Sequence, residues 1–249
     1  MPRDVWLDEI EVMVARDQSS SSNGFFVSAK GGHNDESHNH NDIGSFVVYT
    51  NGCPVIVDAG VESYTAKTFS AQRYDIWTMQ SGYHSLLPTF DGVMQAPGST
   101  YNAENVVYHV DEASAQLRLD IAPAYPAKAN VETWLRTLTL IRGQEIIIED
   151  AFVLTKAVGK IQFSLLTPCT IDLSQAEHIQ LLPATIDADR QSGTAKLMYD
   201  TATLTLSTEI IPITDPRLKD AWSQGLNRML FTMLTPPLTG RLVWKTSLG

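Results

Sequence analysis

Three of the six histidines in this 249-residue chain lie within one short polar stretch. The stretch runs from Lys30 to Gly44 and carries His33, His38 and His40 among carboxylates, asparagines and glycines. It includes four consecutive polar side chains, which cannot be buried unless all their donors and acceptors find partners. We therefore predict that the stretch is either a solvated loop or a functional site.

Two further groups in the first hundred residues extend this set of candidate ligands. The Asn51-Gly52 pair lies between two apolar runs and predicts a tight hairpin. Such a hairpin returns Asp58 toward His40, and His84 follows an aromatic-rich segment. Imidazole nitrogens and carboxylate oxygens are the ligands that zinc and similar divalent ions take. The spacing nominates four candidate ligands, which are His38, His40, Asp58 and His84.

Two other interpretations of these residues stand beside a catalytic metal site. In the first, the histidines are loop residues that bond neighbouring backbone, and Asp58 caps a turn. In the second, the His-x-His pair belongs to a cupin, in which a glutamate ligand follows a few residues later. Residues 41–45 read Asn-Asp-Ile-Gly-Ser, so this glutamate is missing and the cupin interpretation is weak.

The sequence around the polar stretch predicts strands that would hold these groups in place. Runs rich in β-branched and aromatic residues recur along the chain, separated by turn residues. Alternation is clearest at residues 133–141, where Trp134, Leu138 and Leu140 oppose threonines. The predicted strands are residues 11–16, 24–29, 45–50, 54–58, 106–110, 116–121, 131–141, 145–154, 160–166, 177–182, 197–199, 203–207, 229–234 and 241–244.

These strands predict an all-β fold class, namely a large antiparallel β-sandwich of stacked sheets with little helix. Residues 65–83 show neither clean alternation nor a helical stripe, so we expect an ordered loop with one helical turn near residues 75–80. No break in composition divides the chain. Residues 1–249 are therefore predicted to form one domain.

Composition excludes several classes of partner. The net charge is −10, with a pI near 5.0, and no basic stripe is available to neutralise phosphates, so nucleic acid is not an expected partner. No apolar run is long enough to cross a bilayer, and no membrane partner is expected. No signal peptide is expected at the first residues, and Cys53 and Cys169 are predicted to be free thiols.

The polar stretch and the segments after it resemble a known protein family. Residues 31–44, 45–58 and 73–84 look like the heparinase II/III-like polysaccharide lyases. The resemblance is carried by Glu-Ser-His-Asn-His-Asn-Asp at residues 36–42, a strand that ends in Asp58, and a Trp-x6-His element from Trp77 to His84. It is close over the first hundred residues and looser in the tail.

Members of this family join an N-terminal α/α toroid to an antiparallel β-sandwich, with the active site between them. They cleave uronic-acid glycans such as heparin, heparan sulfate or alginate by β-elimination. The resemblance implies that His40, Asp58 and His84 bind one zinc ion and that His38 faces an acidic polysaccharide or oligosaccharide substrate. We expect this chain to be the C-terminal β-sandwich domain and to lack the toroid, its partner domain in the parent.

β-Elimination dictates which groups such a site needs. Removal of the proton next to a carboxylate builds negative charge there, so a donor must stabilise that charge while a base and an acid handle protons. Histidine titrates near neutral pH, so His38 suits the role of donor or base. Tyr64 and Tyr74 are the candidate phenols, and Tyr74 is preferred because the cation of Arg73 beside it favours its ionised form.

A non-catalytic carbohydrate-binding module, or a sandwich stabilised by a structural metal, is the alternative function. Carbohydrate binding would require exposed aromatic side chains on a sheet face, whereas Trp134 and Trp244 lie in alternating runs that predict core positions. For Arg73, the alternative to a role at Tyr74 is an ion pair with Asp75 or Glu62 on a solvated surface.

Overall fold

The computed structural model describes all 249 residues, Met1–Gly249, and places them in four β-sheets. The nineteen strands are, in chain order, β1 (Asp4–Leu7), β2 (Val12–Arg16), β3 (Phe25–Lys30), β4 (His33–Asn34), β5 (Phe46–Thr50), β6 (Cys53–Ile56), β7 (Thr89–Phe90), β8 (Gly98–Asn102), β9 (Glu104–Val110), β10 (Ser114–Asp120), β11 (Val131–Ile141), β12 (Glu145–Leu154), β13 (Lys160–Thr167), β14 (Thr170–Asp172), β15 (Ile179–Leu182), β16 (Ala195–Met198), β17 (Thr205–Pro212), β18 (Gly225–Leu234) and β19 (Thr239–Leu248).

The strands pair antiparallel throughout. A five-stranded sheet has the order β1-β2-β3-β5-β6, and an eight-stranded sheet has the order β14-β15-β16-β19-β12-β11-β10-β9. A four-stranded sheet, β17-β18-β13-β7, and a two-stranded sheet, β4-β8, complete the fold. The predicted all-β sandwich of antiparallel sheets is therefore confirmed.

The hairpin predicted at Asn51-Gly52 joins β5 to β6. Thr50 pairs with Cys53, so the turn contains two residues, and both have positive φ angles of 51° and 80°. Positive φ at both central positions matches the right-handed twist of the flanking strands. Asp58 follows β6 and is carried back toward the start of β5, as the sequence predicts.

One hydrophobic core links the three larger sheets. Trp134 on β11 and Trp244 on β19 are fully buried and contact Phe163 on β13, with ring centroids 5.9 and 5.2 Å apart. Trp6 on β1 of the five-stranded sheet stacks on Tyr108 on β9 of the eight-stranded sheet, with ring centroids 5.1 Å apart. Since both core tryptophans are inaccessible, neither forms an exposed platform for carbohydrate.

Strand β11 has a clean alternation of buried and partly exposed residues. The buried face contains the predicted Trp134, Leu138 and Leu140, but it also contains Arg136, whose side chain is 1% exposed. A charged side chain on a core face requires a partner and full hydrogen bonding. The neighbouring β12 supplies that partner, Asp150, which is also buried.

Helical structure is limited to short segments, in agreement with the prediction of little helix. The segment expected to contain one turn holds four 3-10 turns instead, at Lys67–Phe69, Arg73–Asp75, Trp77–Met79 and Ser81–Tyr83. The one α-helix, α1 (Pro216–Trp222), starts at an Asp215 cap whose carboxylate accepts from the Leu218 amide. None of these segments has the length and apolar character of a helix that crosses a membrane.

Candidate metal centre

The loop between β3 and β5, residues 31–45, carries the histidine-rich stretch and is closed at its base. Lys30 and Gly44 are joined by a backbone hydrogen bond of 2.7 Å, and Gly44 has a positive φ of 85°. The Lys30 ammonium bonds Asp42 at 2.8 Å and lies 3.1 Å from Glu36. Burial opposes the charge on Lys30, but these two carboxylates outweigh it and raise the lysine pKa. These ion pairs therefore join the end of β3 to two positions of the loop.

The side chain and backbone of Gln95 hold the same loop from a distant segment. Its amide accepts from the Ile43 N–H at 3.1 Å and donates to the Ile43 carbonyl at 2.8 Å. Asn34 and Asn41 donate to its side-chain and backbone oxygens, each at 3.2 Å. Gln95 is buried, and its contacts span about fifty residues of sequence, so no local pattern could identify it.

Three of the four nominated ligands come together in the folded chain. His40 from the loop, Asp58 after β6 and His84 after the last 3-10 turn place one ligand atom each within 4.8 Å of one another. The His84 Nδ1 atom lies 2.7 Å from an Asp58 carboxylate oxygen, and the two imidazole centroids are 5.3 Å apart. The fourth nominated ligand, His38, is not part of this cluster.

The chemistry of this cluster fits a divalent ion. Both ring nitrogens of His84 are buried, and neither makes a hydrogen bond of acceptable geometry, although Asp58 lies close to one of them. A buried polar atom without a partner costs about 1–3 kcal/mol, and a bound cation would remove this cost. Two imidazoles and one carboxylate form a three-ligand set that leaves a position open for water or substrate.

Burial and charge act in opposite directions on the three side chains. Burial lowers the pKa of His40 and disfavours its charged form. Burial also opposes the charge on His84, but the Asp58 carboxylate outweighs it and raises the His84 pKa. Burial opposes ionisation of Asp58, whereas both imidazoles favour its carboxylate form and hold its pKa well below the usual range. Without an ion, the pair is therefore a carboxylate beside an imidazole that readily takes a proton.

His38 lies outside the cluster and is exposed to solvent. Its φ of 61° lies in the left-handed region, so its side chain does not follow the alternation of an extended strand. The His38 Nδ1 atom lies 3.3 Å from the Tyr64 hydroxyl, and the two rings stack with centroids 5.7 Å apart and an interplanar angle of 14°. The histidine and Tyr64 thus form a pair on the exposed side of the loop.

Tyr74 contacts the loop through Asn39 rather than through His38. Its hydroxyl donates to the Asn39 side-chain oxygen at 3.3 Å. The neighbouring Arg73 does not pair with Asp75 or Glu62 on a solvated surface, which corrects that alternative. Its guanidinium instead donates to the backbone carbonyls of Asn39 at 2.6 Å and Thr68 at 3.0 Å. Because both partners of Arg73 are backbone carbonyls, which no side-chain pattern identifies, they could not be predicted from the sequence.

Both cysteines are free thiols, as predicted, and lie outside this site. Cys169 is buried, and its thiol contacts the Gly193 carbonyl at 3.4 Å. Burial raises the pKa of Cys169 and keeps the thiol in its neutral form. Neither cysteine is a member of the candidate ligand cluster.

Comparison with solved structures shows that the fold recurs in larger proteins. Heparan sulfate lyase HepC from Pedobacter heparinus has a TM-score of 0.75 at 14% identity, over 98% of this chain and 36% of the HepC chain. Heparinase III has a TM-score of 0.68 at 13% identity, over 99% of this chain and 36% of that chain. This chain therefore spans about a third of the length of either protein.

A comparison of sequences identifies the family. No curated protein matches the chain. The sequence profile described as heparinase II/III-like, C-terminal, matches residues 5–206, which is most of the chain and includes all three clustered ligands. The chain belongs to the family of heparinase II/III-like C-terminal domains.

Proposed function

We propose that this chain is the metal-binding β-sandwich part of a polysaccharide lyase that cleaves uronic-acid-containing glycans by β-elimination. The observation that supports this function is an exposed imidazole, His38, only two residues from the buried His40 of the three-ligand cluster. The structural relatives named above are a heparan sulfate lyase and a heparinase. Heparin and heparan sulfate are therefore our first choice of substrate class, and alginate is the second.

The proposed metal is one zinc ion, held by His40, Asp58 and His84. Imidazole and carboxylate ligands suit zinc, and the buried Nε2 atom of His84 makes no hydrogen bond. When bound, zinc would supply a fixed positive charge at the base of the loop and would link three separate chain segments. The Asp58 carboxylate also accepts from the Gly60 amide at 2.6 Å, which orients it for ligation.

The elimination itself is assigned to the residues on the exposed side of the loop. A base removes the proton from the sugar carbon next to the carboxylate, and the electron pair forms a carbon-carbon double bond. The bond from the neighbouring carbon to the glycosidic oxygen breaks, and an acid protonates that oxygen. We assign to His38 the position that faces the sugar, where it donates to the substrate carboxylate or accepts the proton.

The two tyrosines occupy different positions beside His38. The hydroxyl of Tyr64 is 3.3 Å from the His38 ring, whereas the hydroxyl of Tyr74 is held by Asn39. Both remain candidates for proton transfer. We assign this role first to Tyr64, because its hydroxyl and the imidazole are close enough to act on one sugar ring. Tyr74 then orients the loop through Asn39.

The toroid of a longer parent protein is proposed as the second wall of the site. This chain spans 36% of the HepC chain, and His38 and Tyr64 supply only part of the groups that elimination requires. The net charge of −10 also disfavours binding of an anionic glycan in the absence of a cationic wall. We propose that the parent contributes this wall together with the missing proton-transfer groups.

A structural metal site is the second candidate function. It is favoured by one observation, namely that the three ligands belong to three separate segments, which an ion would cross-link. In that case, metal removal lowers stability but a folded, metal-loaded His38→Ala variant retains full activity. The lyase proposal predicts instead that the folded, metal-loaded His38→Ala variant loses activity.

The experiment uses these residues joined to the remainder of the parent polypeptide. Heparin, heparan sulfate, hyaluronan and alginate are incubated with this protein, and the ultraviolet absorbance of the unsaturated product is followed. We expect product from heparan sulfate or heparin and at least a ~100-fold loss of turnover in His38→Ala. The absence of product from every glycan would refute the function, and an active His38→Ala variant would remove that residue from the mechanism.

A further inference from the structure

Two side chains, Phe69 and Arg217, flank the exposed side of the His38–Tyr64 pair. Phe69 packs edge-on against the Tyr64 ring with centroids 5.4 Å apart, and the Arg217 guanidinium lies 5.5 Å from the Tyr64 centroid. Phe69 is 68% exposed and Tyr64 is 45% exposed. We refer to Tyr64, Phe69 and Arg217 as the Tyr64 cluster. Two aromatic rings and a cation therefore share one accessible surface next to His38.

Arg217 has no carboxylate partner, although the chain carries a large excess of acidic residues. The acid that precedes α1, Asp215, directs its two oxygens to the amides of Leu218 and Ser63 at 3.1 and 3.0 Å. The guanidinium is exposed and stacks only on Tyr64. Its charge is therefore available to a ligand at the Tyr64 cluster.

The position of Arg217 is fixed by the contacts of its helix. Asp215 bonds the Ser63 amide, and the Trp222 indole donates to the Ala59 carbonyl at 2.8 Å. Leu218 is buried in a small core cluster that also contains Ala59. These contacts hold α1 against residues 59–63, the segment that links the candidate ligand Asp58 to Tyr64. The cation is therefore preorganised beside the proposed catalytic pair.

We propose that the Tyr64 cluster is a subsite for an anionic sugar residue, with Arg217 pairing to its carboxylate or sulfate group. This inference rests on the proposed function and extends it to Phe69 and Arg217, to which no role has been assigned above. A guanidinium binds carboxylate and sulfate oxygens through two parallel hydrogen bonds, which an ammonium group does not reproduce. The exposed face of Phe69 offers an apolar surface to the C–H groups of the same sugar.

The alternative occupants of this surface differ in charge. A neutral oligosaccharide would use the aromatic rings but would leave the Arg217 guanidinium without a partner. An acidic oligosaccharide satisfies both the aromatic rings and the Arg217 guanidinium, which stacks on Tyr64 and has no carboxylate partner. Local charge complementarity of this kind raises specificity and the association rate more than total affinity.

The test is a calorimetric titration of the parent polypeptide, in which His38→Ala prevents turnover of the probe, with a heparan sulfate tetrasaccharide and, separately, neutral chitotetraose. We expect Arg217→Ala to weaken binding of the sulfated probe about fivefold to tenfold. Arg217→Lys should recover only part of this loss, and Phe69→Ala should weaken both probes. The matched control is Lys219→Ala, which removes one exposed positive charge from the same helix and should leave both affinities unchanged.

Three results would overturn the subsite. These are equal weakening by Arg217→Ala and Lys219→Ala, equal weakening of both probes by Arg217→Ala, and failure of the His38→Ala parent to prefer the sulfated probe. Because the titration detects binding and not turnover, its outcome is independent of the elimination assay. A parent that binds through Arg217 but, with His38 intact, yields no unsaturated product retains the subsite and loses the lyase function.

Discussion

Arg136 and Asp150 form a buried two-point ion pair between neighbouring strands of the large sheet, with N–O distances of 2.8 and 2.7 Å. The same guanidinium donates to the carbonyl of Gly44 at 2.9 Å and to that of Leu86 at 2.7 Å. Gly44 closes the loop that carries His40, and Leu86 lies two residues after His84. The ion pair thus holds both histidine-bearing segments against the core.

Arg136→Met is therefore expected to reduce both stability and metal affinity. The substitution leaves Asp150 buried without a partner, which should cost about 3–5 kcal/mol of unfolding free energy. The double variant Arg136→Met/Asp150→Leu should regain part of this loss because no charge remains buried. Urea denaturation measures stability, and competition with a chromophoric chelator measures zinc affinity in each folded variant.

The matched control for this prediction is Arg241→Met on β19. Arg241 pairs with Glu149 on the surface and is 68% exposed, so its loss should cost no more than about 1 kcal/mol. Zinc affinity should remain at the wild-type value in this control. If the double variant binds zinc as tightly as the wild type, the ion pair stabilises the fold without positioning the ligands.

Removal of the metal should destabilise the chain through the three clustered ligands. Protein purified without added metal is expected to contain about one zinc per chain by elemental analysis. His84→Ala should lose this zinc, whereas the exposed His109→Ala should retain it. A chelator should lower the melting temperature of the wild type and of His109→Ala, because metal binds only the folded form. An unchanged zinc content in His84→Ala would exclude the ligand assignment.

The affinity for zinc should fall as the pH is lowered. The raised pKa of His84 means that its ring keeps a proton to a higher pH than an ordinary histidine, whose value is 6.5. A protonated ring cannot ligate, so zinc binding must displace the proton, and affinity increases as pH rises through the raised value. Calorimetry in buffers of different ionisation enthalpy should show proton release near pH 7. Equal affinities at about pH 5.5 and 7.5 would contradict this prediction.

The candidate ligand cluster could be predicted from the sequence because its residues lie in recognisable local patterns, a polar histidine-rich loop and a hairpin turn. A polar loop can bury a histidine such as His40 only where the ring finds partners, and Asn51-Gly52 dictates the turn that returns Asp58. Gln95 and Arg136 were not predicted, since they act on the loop through the folded core and over long sequence separations. Neither an amide in a loop, such as Gln95, nor a guanidinium in a strand, such as Arg136, indicates its partner through the local sequence.

The order that we propose for the two tyrosines also depends on tertiary contacts. Proximity in sequence to Arg73 favoured Tyr74, but Arg73 contacts two backbone carbonyls that only the fold brings near. Tyr64 reaches His38 because the segment after Asp58 is held by α1, more than 150 residues later. A contact of this kind depends on tertiary structure, so residue spacing alone could not rank the two phenols.

Substitution of each tyrosine should separate their roles in the parent protein. Tyr64→Phe removes the hydroxyl next to His38 and should reduce kcat by at least ~100-fold if this phenol transfers the proton. Tyr74→Phe removes only the contact with Asn39 and should reduce kcat by less than about tenfold. The ultraviolet assay of unsaturated product measures both. A larger loss in Tyr74→Phe would assign the proton transfer to Tyr74, the tyrosine preferred from the sequence.

The 249 residues alone should have little or no lyase activity, although the proposed parent is active. Elimination requires a carboxylate neutraliser, a base and an acid around one sugar ring, and correct placement of such groups contributes about 7–11 kcal/mol to catalysis. His38 and Tyr64 supply part of that set, and the remainder is assigned to the toroid.

The comparison is between this chain and the parent polypeptide, each loaded with zinc and incubated with heparan sulfate at equal concentration. We expect unsaturated product from the parent and none above background from the chain. The chain must first be shown to be folded and metal-bound, so that inactivity is not a consequence of unfolding. Robust turnover by the chain alone would show that the catalytic groups are complete within these residues, and the division of labour with the toroid would then be wrong.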